Sequence, residues 1–78
     1  MISEADSKAA AAELEAARLS KREREALVLT CKGLSTPEIA ALWGLTTQAV
    51  AHPLHSMRKK LGMTTIEAVV LAVKAGWV

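Results

Sequence analysis

Three consecutive cations, Arg58–Lys60, end a segment, residues 46–62, whose pattern is that of an amphipathic helix. Guanidinium and ammonium groups bind phosphate oxygens through charge and hydrogen bonds. A second feature of this kind lies upstream, where Ser35 and Thr36 begin a short helix whose first N–H groups can also meet a phosphate. A polyanion explains the two features together better than any other partner does.

Other reactive residue types make a weaker case. His52 and His55 can share a helix face, but no cysteine or acidic ligand stands near them to complete a metal site. The single cysteine, Cys31, is expected near a helix C-terminus, where the dipole raises the pKa of a thiol, so it is predicted to be a small core residue. No Ser/His/Asp set, carboxylate pair or glycine-rich phosphate loop stands out. We therefore expect neither an enzyme nor a bound metal or cofactor.

The composition is that of a small globular chain. Its 78 residues are 51% hydrophobic, include no Phe or Tyr, and carry a net charge of +2. One cysteine excludes an internal disulfide and fits a reducing compartment. The N-terminus is polar and no apolar run is long enough to cross a bilayer, so we expect a cytoplasmic protein. Residues 1–18 hold four acids and two cations, whereas residues 19–78 hold eight cations and four acids. An acidic arm thus precedes a basic module.

Helix signals cover most of the chain, and strand signals are absent. A Ser or Thr followed three residues later by an acid predicts a helix start, because each side chain accepts a hydrogen bond from a free N–H group. This pattern predicts caps at Ser3, Ser20, Ser35 and Thr64, with Thr65 as the alternative to Thr64. Thr46 or Thr47, which no acid follows at that spacing, is predicted to cap one further helix. Gly33, Gly44 and Gly62 are placed to end helices. The first, alanine-rich helix has little to bury beyond Leu14, so we expect it to fray or to form only against a partner.

The centre of this pattern, EIAALW then GLT and a longer helix with a basic end, predicts a helix-turn-helix. Gly44 would supply the sharp turn. Ile39, Ala40, Leu45 and Val50 have the spacing to hold the two helices together. The second helix of such a motif projects its outer face into a DNA major groove, which just admits an α-helix.

The segment LSKREREALVLTCKGLSTPEIAALWGLTTQAVAHPLHSMRKKLGM resembles the LuxR/GerE-type helix-turn-helix family, and the resemblance extends through the tail EAVVLAVKAGWV. The matching residues are Leu19, Ser20, Arg22, Glu23, Gly33, Ser35, Glu38, Ile39, Ala40, Gly44, Thr46, Val50, Lys60, Leu61 and Gly62. The resemblance implies an all-α fold in which residues 19–78 form a four-helix LuxR/GerE-type domain. Residues 1–18 would be an additional N-terminal helix or arm. It also implies a DNA-binding transcription regulator of bacterial or phage origin.

The resemblance further implies which residues contact DNA. The positions that face base edges in the family correspond to Ala51, His52 and His55, with Gln48 one turn earlier. Glutamine can pair with adenine, and histidine can donate to guanine or phosphate. With the helix starts and the cations, the predicted DNA-binding residues are Ser35, Thr36, Thr46, Thr47, Gln48, Ala51, His52, His55, Arg58, Lys59 and Lys60.

Pro53 lies inside the predicted recognition helix, residues 47–61, where a proline removes a hydrogen bond and costs about 3 kcal/mol. In one interpretation the helix bends or restarts there, with His52 as an N-cap, and DNA is bound with an altered sequence preference. In the other, the surface docks protein, as an antagonist of a larger LuxR-type regulator or as a contact of RNA polymerase. We favour a sequence-specific DNA-binding regulator. Trp43, which replaces a core leucine of the family, is predicted to pack in the core.

The last helix, residues 65–75, is apolar nearly all round, with only Glu67 and Lys74 on a narrow polar edge. Such a helix must be buried on more than one side. One face can cover the helix-turn-helix, and the other needs a second copy of the chain or, as the alternative, the N-terminal helix of the same chain. In the family this helix usually mediates dimerisation. We predict a homodimer through Ile66, Val69, Val70, Val73 and Trp77.

Overall fold

The computed structural model describes residues 3–78, all of whose regular structure is helical. The first two residues of the predicted N-terminal arm lie outside that range. Five helices follow one another: α1 Glu4–Ala16, α2 Lys21–Cys31, α3 Thr36–Trp43, α4 Thr47–Leu61 and α5 Thr65–Lys74. The prediction of an all-α fold with an additional N-terminal helix is confirmed.

Side-chain caps set where each helix begins. The Ser20 hydroxyl accepts from the Glu23 N–H at 3.1 Å, and the Glu23 carboxylate accepts from the Ser20 N–H at 2.7 Å. Such reciprocal pairs satisfy donors that the first turn of a helix leaves free. Reciprocal pairs also begin α3, at Ser35 and Glu38, and α5, at Thr64 and Glu67. Single hydroxyls cap α1, at Ser3, and α4, at Thr46.

One apolar cluster joins all five helices. Its largest fully buried side chains are Leu14, Leu27, Ile39, Val50 and Met57. The small residues Ala26, Ala68 and Ala72 are also completely buried, which allows close packing of α2 with α5. Leu45 is different, because it lies in the turn between α3 and α4 and is 46% exposed. The expectation that Leu45 holds these two helices together is therefore wrong.

The α1 helix packs against α5 of the same chain. Ala10 and Leu14, its two buried residues, are 3% and 1% exposed, and Leu14 belongs to the core. The expectation that this helix frays or needs a separate partner is wrong, because α5 supplies the apolar surface that α1 lacks. The alternative interpretation, in which the N-terminal helix covers α5, is therefore correct for one side of α5.

Cys31, Trp43 and Trp77 are partly buried and pack at the edge of the core. The Cys31 Sγ lies 3.9 Å from the carbonyl oxygen of Val69, and burial raises the pKa of its thiol. The guanidinium groups of Arg22 and Arg24 stack over Trp43 and Trp77, each 4.2 Å from the ring centre. Both indoles are half-buried against the core. Trp43 therefore packs in the fold rather than offering an open face to a ligand.

Candidate nucleic-acid interface

The α4 helix runs without interruption from Thr47 to Leu61, with Pro53 inside it. The predicted restart with His52 as an N-cap is therefore wrong, and the N-cap is Thr46, which accepts from the Ala49 N–H at 3.2 Å. The proline removes the usual donor to the Ala49 carbonyl. Because Ala49 is exposed, water can take the place of that donor. The ring of Pro53 is buried and, with residues at the start of α2, lines a cavity between the two helices.

The face of α4 opposite the core carries Gln48, His52, His55 and Lys59, which are all exposed. Their spacing of four, three and four residues places them in one stripe about 16 Å long. The other side of α4 is buried through Val50, Leu54 and Met57. An amide and two imidazoles both donate and accept hydrogen bonds, so this recognition stripe, Gln48 to Lys59, can pair with base edges. Lys59 adds a cation at its end.

Several predicted DNA contacts flank the recognition stripe. Thr47 and Ala51 are exposed beside it, and a methyl group such as that of Ala51 can contact thymine. The hydroxyls of Ser35 and Thr46 accept from backbone N–H groups at 3.3 and 3.2 Å, which leaves each O–H free to donate to a phosphate. Thr36 is the first residue of α3 and is half-buried.

Arg58 lies on the side of α4 that meets α5. Its Nη1 donates to the Thr65 Oγ1 at 2.9 Å, and the side chain is half-buried. Among residues 3–78 no carboxylate forms an ion pair with it. The charge of Arg58 is therefore fixed in place without being neutralised, which suits a phosphate contact.

Lys60 has a different partner. Its Nζ lies 2.6 Å from the Glu23 Oε1 and 3.4 Å from the carbonyl oxygen of Arg18. Burial of Glu23 would by itself raise the pKa of this carboxyl. Hydrogen bonds from Lys60, Ser20 and Ser56 outweigh burial and lower the pKa from 4.5 to about 2. Lys60 thus balances a buried carboxylate, and its charge is not free for a DNA phosphate.

Two contributors to this region were missed in the sequence. The sequence assigns Glu23 to a helix cap and to the family pattern but not to an ion pair, although Ala26 and Leu27, three and four residues on, place it on the inner face of α2. A carboxylate on a buried helix face requires a cation beside it, so the position of Glu23 in the sequence could have predicted a cationic partner. Thr65 had no such signal, because Thr64 already supplies the cap of α5 and the partner Arg58 lies in another helix.

The predicted dimer surface divides into two parts. Ile66, Val70 and Val73 are 78%, 49% and 44% exposed, and their spacing of four and three residues places them on one side of α5. Val69 and Trp77 pack against the core of their own chain. Only the first three form an exposed apolar stripe, called here the α5 stripe.

A comparison with protein families decides the assignment. The GerE model, which describes bacterial regulatory proteins of the luxR family, matches residues 17–73. This chain belongs to the luxR family. The matched range of this luxR-family protein begins directly after α1 and covers α2, α3, α4 and most of α5. The family is one of DNA-binding regulators built on a helix-turn-helix, here α3 and α4, rather than a family of enzymes.

The remaining comparisons add no relative. No curated protein and no solved structure matches the luxR-family chain significantly. Within residues 3–78, no helix has both the length and the apolar character needed to cross a membrane.

Proposed function

We propose that this luxR-family protein is a sequence-specific transcription regulator that binds double-stranded DNA with α4 in the major groove. The observation that carries the proposal is the recognition stripe, which is polar and exposed along the whole side of α4 facing away from the core. A helix held by its buried face and presenting amide, imidazole and ammonium groups on the other has the shape and chemistry that a major groove admits.

The proposed contacts fall into two classes. Gln48, His52 and His55, which are exposed along the recognition stripe, and Ala51, which is exposed beside it, read base edges. Phosphates are bound by the two cations Arg58 and Lys59 and by the starts of α3 and α4, at Ser35, Thr36, Thr46 and Thr47.

The proposal includes a homodimer formed through the α5 stripe. Three exposed branched side chains on one helix side are an apolar surface that α1 leaves uncovered. A second copy of the chain offers the same stripe, and a two-fold axis through α5 makes the two surfaces self-complementary. Two α4 helices would then reach half-sites about 34 Å apart on one side of the duplex.

The direct test is DNA affinity as a function of salt. The full chain is titrated against mixed-sequence duplex DNA, and we expect the logarithm of affinity to fall linearly with the logarithm of salt concentration. Lys59→Ala should flatten this slope by about one unit for each chain bound. Lys74→Ala, which removes an exposed cation from α5, is the matched control and should leave the slope unchanged.

A second candidate function follows from the outer face of α4 itself. Ala51 is exposed on this face where the family usually carries a basic residue, so the face has one cation fewer for DNA. In that case the protein binds another protein, such as a larger LuxR-type regulator or RNA polymerase. A folded chain that binds no DNA at low salt would favour this function over the first.

A further inference from the structure

We propose that Thr65, the first residue of α5, is a positioning residue that holds Arg58 of α4 in place for a DNA phosphate. This inference rests on the proposed function. The contact that carries it is the hydrogen bond from Arg58 Nη1 to Thr65 Oγ1, at 2.9 Å. Both side chains are half-buried, so this hydrogen bond is partly shielded from competing water.

The partner of Arg58 is a neutral hydroxyl. In this respect Arg58 differs from Lys60, the other cation of α4 that a side chain of another helix holds. The Glu23 carboxylate lies 2.6 Å from the Lys60 ammonium, so the charge of Lys60 is balanced by an acid of the same chain. A hydroxyl orients a guanidinium without cancelling its charge. A guanidinium has five N–H donors, so one bond to Thr65 leaves donors for a phosphate.

The hydroxyl of Thr65 is not needed to begin its own helix. Thr64 is the N-cap of α5, and its Oγ1 accepts from the Glu67 N–H at 3.2 Å. Thr65 therefore has a polar group available for Arg58. An arginine restricted before binding loses less conformational freedom when it meets a phosphate, so the positioned side chain binds more tightly.

The same contact joins the two surfaces of the proposed dimeric regulator. Ile66, the next residue after Thr65, begins the α5 stripe and is 78% exposed. Thr65 therefore lies next to the proposed dimer surface, while its hydroxyl contacts Arg58 on the proposed DNA surface.

The test compares Thr65→Val, which keeps the branched shape, with Thr65→Ser, which keeps the hydroxyl. Thr65→Val should weaken binding of the full chain to mixed-sequence duplex DNA by about 3- to 10-fold, the effect of freeing one long side chain. The salt slope should stay at its wild-type value, because the charge remains. Thr65→Ser should restore most of the affinity. In an Arg58→Ala background, Thr65→Val should have no further effect.

A measurement without DNA separates positioning from folding. NMR relaxation of the Arg58 Nε–H group should show more mobility in Thr65→Val and wild-type mobility in Thr65→Ser. Equal losses of affinity in both variants, or a loss that persists in the Arg58→Ala background, would overturn the inference. So would an Arg58→Ala variant with wild-type affinity and slope, although the proposed function would then stand. A wild-type chain that binds no DNA would overturn the proposed function itself.

Discussion

The carboxylate of Glu23 connects two helices. It accepts from the N–H of Ser20 at the start of α2 and from Lys60 near the end of α4. Its side chain is 4% exposed, whereas that of Lys60 is 39% exposed, so the carboxylate bears most of the cost of leaving water. The pair is therefore stable only while Glu23 is ionised and Lys60 is in place.

The first prediction concerns pH. Because folding lowers the pKa of Glu23 from 4.5 to about 2, the ionised carboxylate contributes about 3 kcal/mol above pH 5. That contribution is lost as the pH falls from about 5 to about 2. We expect Glu23→Gln to be less stable than wild type at pH 7, and the difference to shrink through this range. Urea unfolding at several pH values measures the difference in free energy of unfolding between the two proteins.

The control for Glu23 is on the same helix. Glu25 pairs with Arg22 at 3.9 Å through side chains that are 42% and 53% exposed. An exposed pair contributes about 0–1 kcal/mol, so Glu25→Gln should be close to wild type at pH 7. A constant difference between Glu23→Gln and wild type from pH 7 to pH 2 would contradict the assignment.

The second prediction separates base contacts from phosphate contacts along the recognition stripe. Alanine at Gln48, His52 or His55 should cost about 1–3 kcal/mol on the preferred site and spare binding to unrelated sequences. Lys59→Ala should weaken binding to all sequences alike. Competition binding with matched and unrelated duplexes measures both. A uniform loss at one of the first three residues would show that it contacts only the backbone.

At the scale of the helix, Pro53 is tolerated in α4 because its cost is partly offset. The lost hydrogen bond and steric conflict cost about 3 kcal/mol. The ring of Pro53 is buried, and its removal from water returns about 1–2 kcal/mol. The stiffness of proline also reduces the entropy of the unfolded chain, worth about 0.4–1 kcal/mol.

The third prediction follows from that balance. Pro53→Ala should stabilise the protein by about 1 kcal/mol, since the restored hydrogen bond exceeds what the ring contributes. Pro37→Ala is the matched control. Pro37 lies in the first turn of α3, where the missing N–H has no helical partner to lose, so its replacement should not stabilise. Thermal unfolding compares the two, and a clear loss of stability in Pro53→Ala would contradict the prediction.

Helix starts were predictable from the sequence because a cap involves residues only three positions apart. Ser20 and Ser35 could be assigned before any tertiary contact was known, and the start of α4 could be placed at Thr46 or Thr47. The pairing of Lys60 with Glu23 could not, because the two residues are 37 positions apart and neighbouring cations have the same local pattern. The sequence therefore predicts the same role for Lys60 as for Arg58 and Lys59, because all three are neighbouring cations.

At the scale of the molecule, α5 is covered on several sides but not on all. It packs against α1, α2 and α4, and still exposes the α5 stripe. A sequence pattern shows that a helix is apolar all round, but it cannot show which neighbour covers each side. The sequence therefore leaves a second copy of the chain and α1 as alternative covers for α5, and the structure places α1 on one side.

The fourth prediction tests the dimer. Val70, in the middle of the α5 stripe, is 49% exposed, so Val70→Asp should leave the fold intact while placing a charge in the proposed interface. Sedimentation velocity should show a dimer for wild type and a monomer for this variant. Leu42→Asp, at a 63% exposed position on α3, should remain dimeric. A monomeric wild type would contradict the proposed interface without bearing on the fold.

The contacts of Lys60 have a consequence for folding kinetics. They join α4 to Glu23 and to the Arg18 carbonyl, which lie 37 and 42 residues earlier. Closing such long loops costs entropy that local helix contacts do not, so we expect these bonds to form after the transition state. Lys60→Met, which keeps the apolar stem, should unfold faster and fold at nearly the wild-type rate in stopped-flow experiments. Ser35→Ala, which removes a local cap, should slow folding more. Lys60 would then set how long the folded regulator lasts, with little influence on how soon it forms.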